Sequence, residues 1–465
     1  MVFSSLVFLF VFLPLIICLY YLSKDKYKNY LLLVASLFFY AWGEPTYIVI
    51  MILSIIANFI FGRQVSIENK YRKIWLTISV IFNIGMLGVF KYTGFFIDNL
   101  NNIFNLNIMN PQIALPLGIS FFTFQAMSYV IDVYRHDAKV QNNIFNMALY
   151  ISLFPQLVAG PIVRYQTIAD QIIEREHNLL KFEKGIGRFI LGLSKKVILA
   201  NSLGLLADSV FSTNINDIAI LSSWLGIISY SLQIFFDFSG YSDMAIGLGQ
   251  MFGFEFLENF NYPYISKSAS EFWRRWHISL GSWFRDYVYI PLGGSRKGKV
   301  RTYINLFIVW FLTGFWHGAS WTFIAWGLYF GILIAIEKAF LEKLLEKVWN
   351  PIRHIYLIII VMIGWIFFRA DNFNYAFGYI GSLFGSKGQL LYNNDTLRYM
   401  NDYWYIIIIS IIGSMPIFKI LISKVKCKDT NIYHIIKGLI LMILFVYISI
   451  TLVNSTYNPF LYFRF

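Results

Sequence analysis

Cysteine is nearly missing from this chain: two occur in 465 residues, Cys18 within an apolar run and Cys427 in a basic loop. That count and placement exclude a disulfide framework and a cysteine-based metal site. Charge is scarce as well. Only 14% of residues are charged against 58% hydrophobic, too little polar surface for a water-soluble fold of this length. No long polar stretch interrupts the apolar ones to form a soluble domain, and no internal repeat is visible. The first apolar run, Val2 to Leu22, has neither a basic segment before it nor a small-residue cleavage site. It reads as a retained helix and not as a removed signal peptide.

What the chain does contain is apolar sequence in membrane-sized lengths. Thirteen stretches stand out: 3–22, 30–43, 46–62, 74–90, 115–134, 143–159, 186–211, 219–253 (read as a broken pair), 302–316, 318–337, 353–369, 403–422 and 437–453. A bilayer is spanned by roughly 20 apolar residues. The stretches 30–43, 143–159 and 302–316 are short for that, and fit better as tilted, re-entrant or protein-buried segments. About eleven crossings are expected, giving an all-α polytopic membrane protein. The whole of 1–465 reads as one membrane-embedded domain with an aromatic tail at 460–465.

The net charge of +13 could suggest nucleic acid, but the basic residues sit between apolar stretches. That is the pattern of cytoplasmic loops, so membrane lipids and not nucleic acid are the expected surroundings. The clusters are Lys24, Lys26 and Lys28; Arg63, Lys70, Arg72 and Lys73; the block 267–301; and Lys419 to Lys437. Placing all four inside puts the loops 99–110 and 385–402 outside, together with both termini. The Lys-, Asn- and Ile-rich composition fits the plasma membrane of a low-GC bacterium.

Six histidines occur, and four lie in polar loops or at loop edges. His317 instead sits between two apolar segments, bracketed by Gly314 and Gly318. A titratable group at membrane depth is costly, and function is a common reason to keep one. A buried histidine bonded to a backbone carbonyl is the structural alternative. His277 lies in 271–286, which reads as a basic amphipathic helix. Phe272, Trp273, Trp276, Leu280, Trp283 and Phe284 form its apolar stripe, as in an interfacial anchor. Its arginines could also hold the phosphates of an anionic donor. Asp237 and Asp243 are acids in an apolar setting, suited to lining a tunnel, pairing with an internal arginine, or carrying protons as in a transporter. No cluster of ligand residues calls for a metal.

Seven segments, in this order, resemble the membrane-bound O-acyltransferase family, and within it the alginate O-acetyltransferase type. They are 115–125 (LPLGISFFTFQ), 129–135 (YVIDVYR), 154–164 (FPQLVAGPIVR), 235–247 (FFDFSGYSDMAIG), 272–277 (FWRRWH), 283–294 (WFRDYVYIPLGG) and 316–321 (WHGASW). The resemblance implies a ring of helices around a thin centre, with re-entrant and interfacial helices and a tunnel joining the two faces. It implies that His317 is the essential intramembrane histidine and that His277 is the second characteristic polar position. Trp273, Arg274, Arg275, Trp276, Arg285, Asp286, Trp316, Asp237 and Gln125 then become donor-binding or tunnel residues. The implied donor is cytosolic acetyl-CoA, with no bound cofactor. The implied acceptor is an extracellular polysaccharide or cell-wall polymer, served by a separate extracytoplasmic transferase. The tail from Phe460 to Phe465 looks like the aromatic motif of a partner peptide in teichoic acid D-alanylation, which makes Tyr462 a candidate acyl relay. The alternatives are D-alanyl transfer to teichoic acid from a carrier protein, acylation of a lipid or secreted peptide, and a proton-coupled transporter using His317 and Asp237.

Overall fold

Every regular element in the computed structural model is a helix among the residues it describes, which are 1–157, 160–424, 430–455, 457–459 and 461. Among the described residues, seven helices are long and apolar enough to cross a membrane: Ile48–Ser66, Arg72–Phe104, Leu179–Phe211, Ile220–Met251, Trp321–Leu345, Asn350–Arg369 and Asn431–Asn454. The pair Asn394–Gly413 and Ile417–Lys424, bent by 62°, makes an eighth if it acts as one span. Pro416 precedes the second helix of that pair and supplies no amide N–H there.

Against the eleven crossings expected, Phe8–Leu22 and Ile119–Arg135 are shorter helices, and one expected pair is a single helix. Residues 143–159 contain Ile144–Ser152 and, after an interruption at Leu153, Phe154–Leu157. Helix Ile119–Arg135 has 17 residues and is buried over most of its length, in a setting shielded by protein. The expected broken pair at 219–253 is instead one helix of 32 residues, Ile220–Met251. Its glycines mark close approaches and not breaks. A Cβ at Gly240 would lie 2.7 Å from the Gly192 carbonyl oxygen, and one at Gly247 would lie 2.6 Å from that of Gly185. With no proline inside it, the helix continues.

The chain forms two compact units, Met1–Phe189 with Tyr241–Glu258, and Ile190–Gly240 with Asn259–Phe465. In the first, Asn58 and Asn83 are fully buried and exchange amide hydrogen bonds of 3.2 and 2.8 Å. Each also donates to a carbonyl four residues back, Ser54 and Ser79. Such pairs join helices where apolar burial cannot, because lipid is equally apolar. Arg188 bonds both Asp243 and Glu258.

The second unit is built on an aromatic core that includes Trp276, Trp326, Phe330, Trp365 and Phe368. Helices Lys299–His317 and Trp321–Ile336 form a tight hairpin. A Cβ at Gly314 would strike the Phe323 carbonyl, and one at Gly327 the Trp310 carbonyl, so small residues allow this crossing. Ser320 starts the second helix by accepting the Thr322 N–H at 3.2 Å. His317 is thereby fixed at the last turn before the bend.

Candidate active site

His317 ends helix Lys299–His317 and is 6% exposed. Its ring meets Trp326 edge-on at 4.9 Å and Phe368 at 5.3 Å between centroids. Trp316, the preceding residue, lies 5.0 Å away. On the other side, the Trp316 ring is 6.2 Å from that of His277. The two histidines therefore flank one indole, although 40 positions separate them in sequence.

The continuous helix expected over 271–286 is not formed. Ala269–Arg275 and Ile278–Phe284 are separate helices. Trp276 between them is extended, and His277 is left-handed at φ 47°. The cause is the segment 259–261, which pairs with the break. The Asn261 N–H donates to the Arg275 carbonyl at 2.9 Å, and the Ile278 N–H donates to that of Asn259 at 3.0 Å. The Asn259 side-chain oxygen then accepts the Ser279 N–H at 3.0 Å and its hydroxyl at 2.9 Å. These bonds replace those a continuous helix would have made, and they hold a non-glycine residue in a strained conformation.

The other end of Ala269–Arg275 is held by Glu337, a carboxylate 1% exposed. It accepts from the amides of Ala269 (2.7 Å) and Ser270 (2.9 Å), from the Ser270 hydroxyl (2.8 Å) and from the Tyr356 hydroxyl (3.2 Å). A carboxylate beside otherwise unpaired first-turn amides is favourable in charge and in hydrogen bonding. Sequence reasoning missed Asn259 and Glu337. The only local signal was the spacing of Ser268 and Glu271, a helix-start pattern in which Ser268 accepts the Glu271 N–H at 3.1 Å.

Polar atoms stand unpaired in this aromatic setting. Both ring nitrogens of His277 lack a hydrogen-bond partner among the described residues, as do Nε1 of Trp273, Nε1 of Trp326 and Nδ2 of Asn259. Buried polar atoms of this kind are rare and call for a ligand or water. Burial pushes the His277 imidazole far below its ordinary 6.5, to about 3. Between these values an unfolded chain takes up a proton that the folded one refuses. The stability contribution is full above pH 6.5 and declines as pH falls toward 3. The melting temperature in detergent should drop more steeply from pH 7 to pH 5 in the wild type than in His277→Asn, a residue that tolerates the left-handed backbone. Parallel pH profiles would contradict this.

The remaining expected site residues divide clearly. Trp273 packs against Phe330 at 4.9 Å, Trp310 at 5.0 Å and Trp326 at 5.4 Å. Trp276 stacks on Phe272 at 5.5 Å and meets Trp365 at 5.0 Å. The apolar stripe thus faces protein and not a lipid interface. Arg275 is engaged with Glu271 (3.0 Å) and the Asn261 carbonyl (3.2 Å), and Arg285 with Asp286 (2.7 Å). Arg274 is exposed. Asp237 pairs with a lysine, Lys196, at 2.7 Å and not with an arginine; Asp243 is the acid that takes one. Gln125 belongs to the first unit, fully buried, with both side-chain polar atoms unpartnered among the described residues. Tyr462 lies outside the described residues. Among these, no group of three or more His, Cys, Asp or Glu side chains is placed to hold a metal.

The sequence pattern of the membrane-bound O-acyltransferase family matches residues 139–374. A protein of Azotobacter vinelandii named "probable alginate O-acetylase AlgI" is 46% identical over 391 residues, 83% of this chain and 78% of that protein. The chain belongs to the membrane-bound O-acyltransferase family. Further relatives are the peptidoglycan O-acetyltransferase of Helicobacter pylori and the teichoic acid D-alanyltransferase of Bacillus subtilis. The first is 33% identical over 93% of this chain and 91% of its own; the second is 32% identical over 50% and 62%. The expected enzyme class, an O-acyltransferase in a multi-pass membrane protein, is borne out. His277, His317 and Asp237 fall inside the family match, whereas Gln125 and Tyr462 fall outside it.

Proposed function

We propose that this acyltransferase moves an acetyl group from cytosolic acetyl-CoA to a hydroxyl reached from the outer face, for O-acetylation of an extracellular polysaccharide or cell-wall polymer. The observation that carries this reading is the pair His277 and His317 on either side of Trp316, in a chain 46% identical to an alginate O-acetylase over most of its length.

His317 acts as general base. It takes the proton of the attacking hydroxyl as that oxygen bonds to the thioester carbonyl carbon. The C–S bond then breaks, CoA leaves as the thiol with the proton returned, and an O-acetyl ester remains. The unpaired Nε1–H of Trp326, whose ring touches His317, suits the oxyanion formed on the way. His277, neutral through burial, orients the donor or assists proton transfer. Arg274, exposed in the basic block, meets the donor's phosphates; Arg275 and Arg285 support that surface through Glu271 and Asp286. The aromatic walls exclude water and limit hydrolysis.

The proposal includes the ring of about eleven crossing segments, the thin tunnel, both termini outside, and one membrane domain. In it, Tyr462 receives the acetyl group first and passes it on. A separate extracytoplasmic transferase then serves the polymer.

D-alanyl transfer is the second reading, favoured by the partial match to the teichoic acid enzyme. A donor comparison separates the two. Turnover with acetyl-CoA but not with D-alanyl carrier protein is expected, and the reverse would sink the acetyl reading.

A further inference from the structure

The helix Asn431–Asn454 and the segment that follows it have opposite surroundings. Ile448 is the one residue of that helix that is buried. Just beyond it, the chain enters a polar slot. Lys196 and Asp237 form an ion pair and are 2% and 1% exposed. The Lys196 ammonium also donates to the Pro459 carbonyl, and the Leu461 N–H donates to Asp237 Oδ2 at 3.0 Å. Asn201 Nδ2 donates to the Tyr457 carbonyl at 3.4 Å and to Asn458 Oδ1 at 3.3 Å. The Tyr457 hydroxyl donates to Asp208 Oδ2 at 2.5 Å, and Arg369 donates to Oδ1 of the same carboxylate at 2.6 Å.

Local geometry fits this grip. Lys196 lies in the π-helical turn Lys195–Ala200, a widening often found at functional positions. Gly204 leaves room for Tyr457, since a Cβ there would lie 2.8 Å from the tyrosine oxygen. A buried ion pair is a poor way to gain stability, because desolvation cancels much of its attraction. Seating this segment would need only apolar contacts. Both members of this pair instead bond backbone atoms two residues apart, which fixes the segment along its length. Pro459 and Leu461 also wall a cavity of about 500 Å³ lined by Phe211, Gln233 and Arg369.

We propose that Lys196, Asp237, Asn201 and Asp208 form a docking site that holds Tyr457, Asn458, Pro459 and Leu461 in a fixed register, on which the relay role given to Tyr462 depends. These are positioning residues. The inference rests on the relay role given to Tyr462, and its test is independent of that role.

The test uses the full-length protein in nanodiscs with Cys18 and Cys427 replaced by serine and a single cysteine at Leu461 (L461C), which is 5% exposed. A matched control carries the cysteine at Ile448 (I448C), which is fully buried. Maleimide labelling is followed with and without the paired change Lys196→Met and Asp237→Leu, which removes both charges and keeps apolar volume. Labelling at 461 should rise by roughly tenfold or more while that at 448 is unchanged, as for a local opening. Unchanged labelling at 461, or an equal rise at both positions, overturns the proposal. Acetyl label on Tyr462 should fall by a similar factor in the paired variant. If protection at 461 is lost but Tyr462 carries no label even in the parent, docking stands and the relay fails.

Discussion

Replacing His317 by alanine is expected to lower the rate of CoA release by roughly 10² to 10⁴, the range for loss of a general base. The argument is positional. The side chain is 6% exposed, lies between Trp326 and Phe368, and shares Trp316 with the second histidine. Glycines at 314 and 327 let the two hairpin helices approach closely enough to fix that turn. Alanine also leaves a void among the rings, so His317→Gln, closer in volume, accompanies it. Both variants should lose transfer while eluting and melting as folded protein. A rate within twofold of wild type in either would remove His317 from the chemistry.

The largest loss of stability is expected from Asp237→Ala. It leaves the Lys196 ammonium, 2% exposed, without its counter-ion, and breaking a buried pair from one side costs about 3–5 kcal/mol. The paired apolar change described above removes both charges and should cost much less. Melting temperatures in detergent decide this: Asp237→Ala should lie well below both the wild type and the paired variant. An Asp237→Ala protein that melts with the wild type would mean the pair is not held away from water.

The parts legible in sequence were those that local pattern or family motif controls. Apolar runs revealed an all-helical membrane protein, and the WHGASW and FWRRWH segments singled out His317 and His277. What could not be read was set by partners distant in the chain. The stripe over 271–286 has a helical period and contains neither Pro nor a glycine at the break. The break comes from Asn259 and Asn261, which take over its hydrogen bonds. Glu337 caps a helix 67 and 68 positions away, and Lys196 meets an acid that local reasoning would sooner have matched to arginine. The stretch 219–253 reads as a broken pair by its length, whereas the structure makes it one helix whose glycines admit neighbouring backbone that sequence does not show. Seven helices, or eight with the bent pair, are long and apolar enough to cross a membrane among the described residues, against the eleven expected, for a related reason. A helix such as Ile119–Arg135 is apolar because protein surrounds it, and hydropathy does not distinguish protein from lipid.

The central claim is that acetyl passes from acetyl-CoA to a hydroxyl under the control of His317, by way of Tyr462. The most direct measurement follows CoA release and protein-bound label from acetyl-labelled acetyl-CoA, with purified wild type, His317→Ala and Tyr462→Phe in nanodiscs. The account predicts CoA release and label on Tyr462 in the wild type, and loss of that label in both variants. CoA release no higher in the wild type than in folded His317→Ala would contradict it.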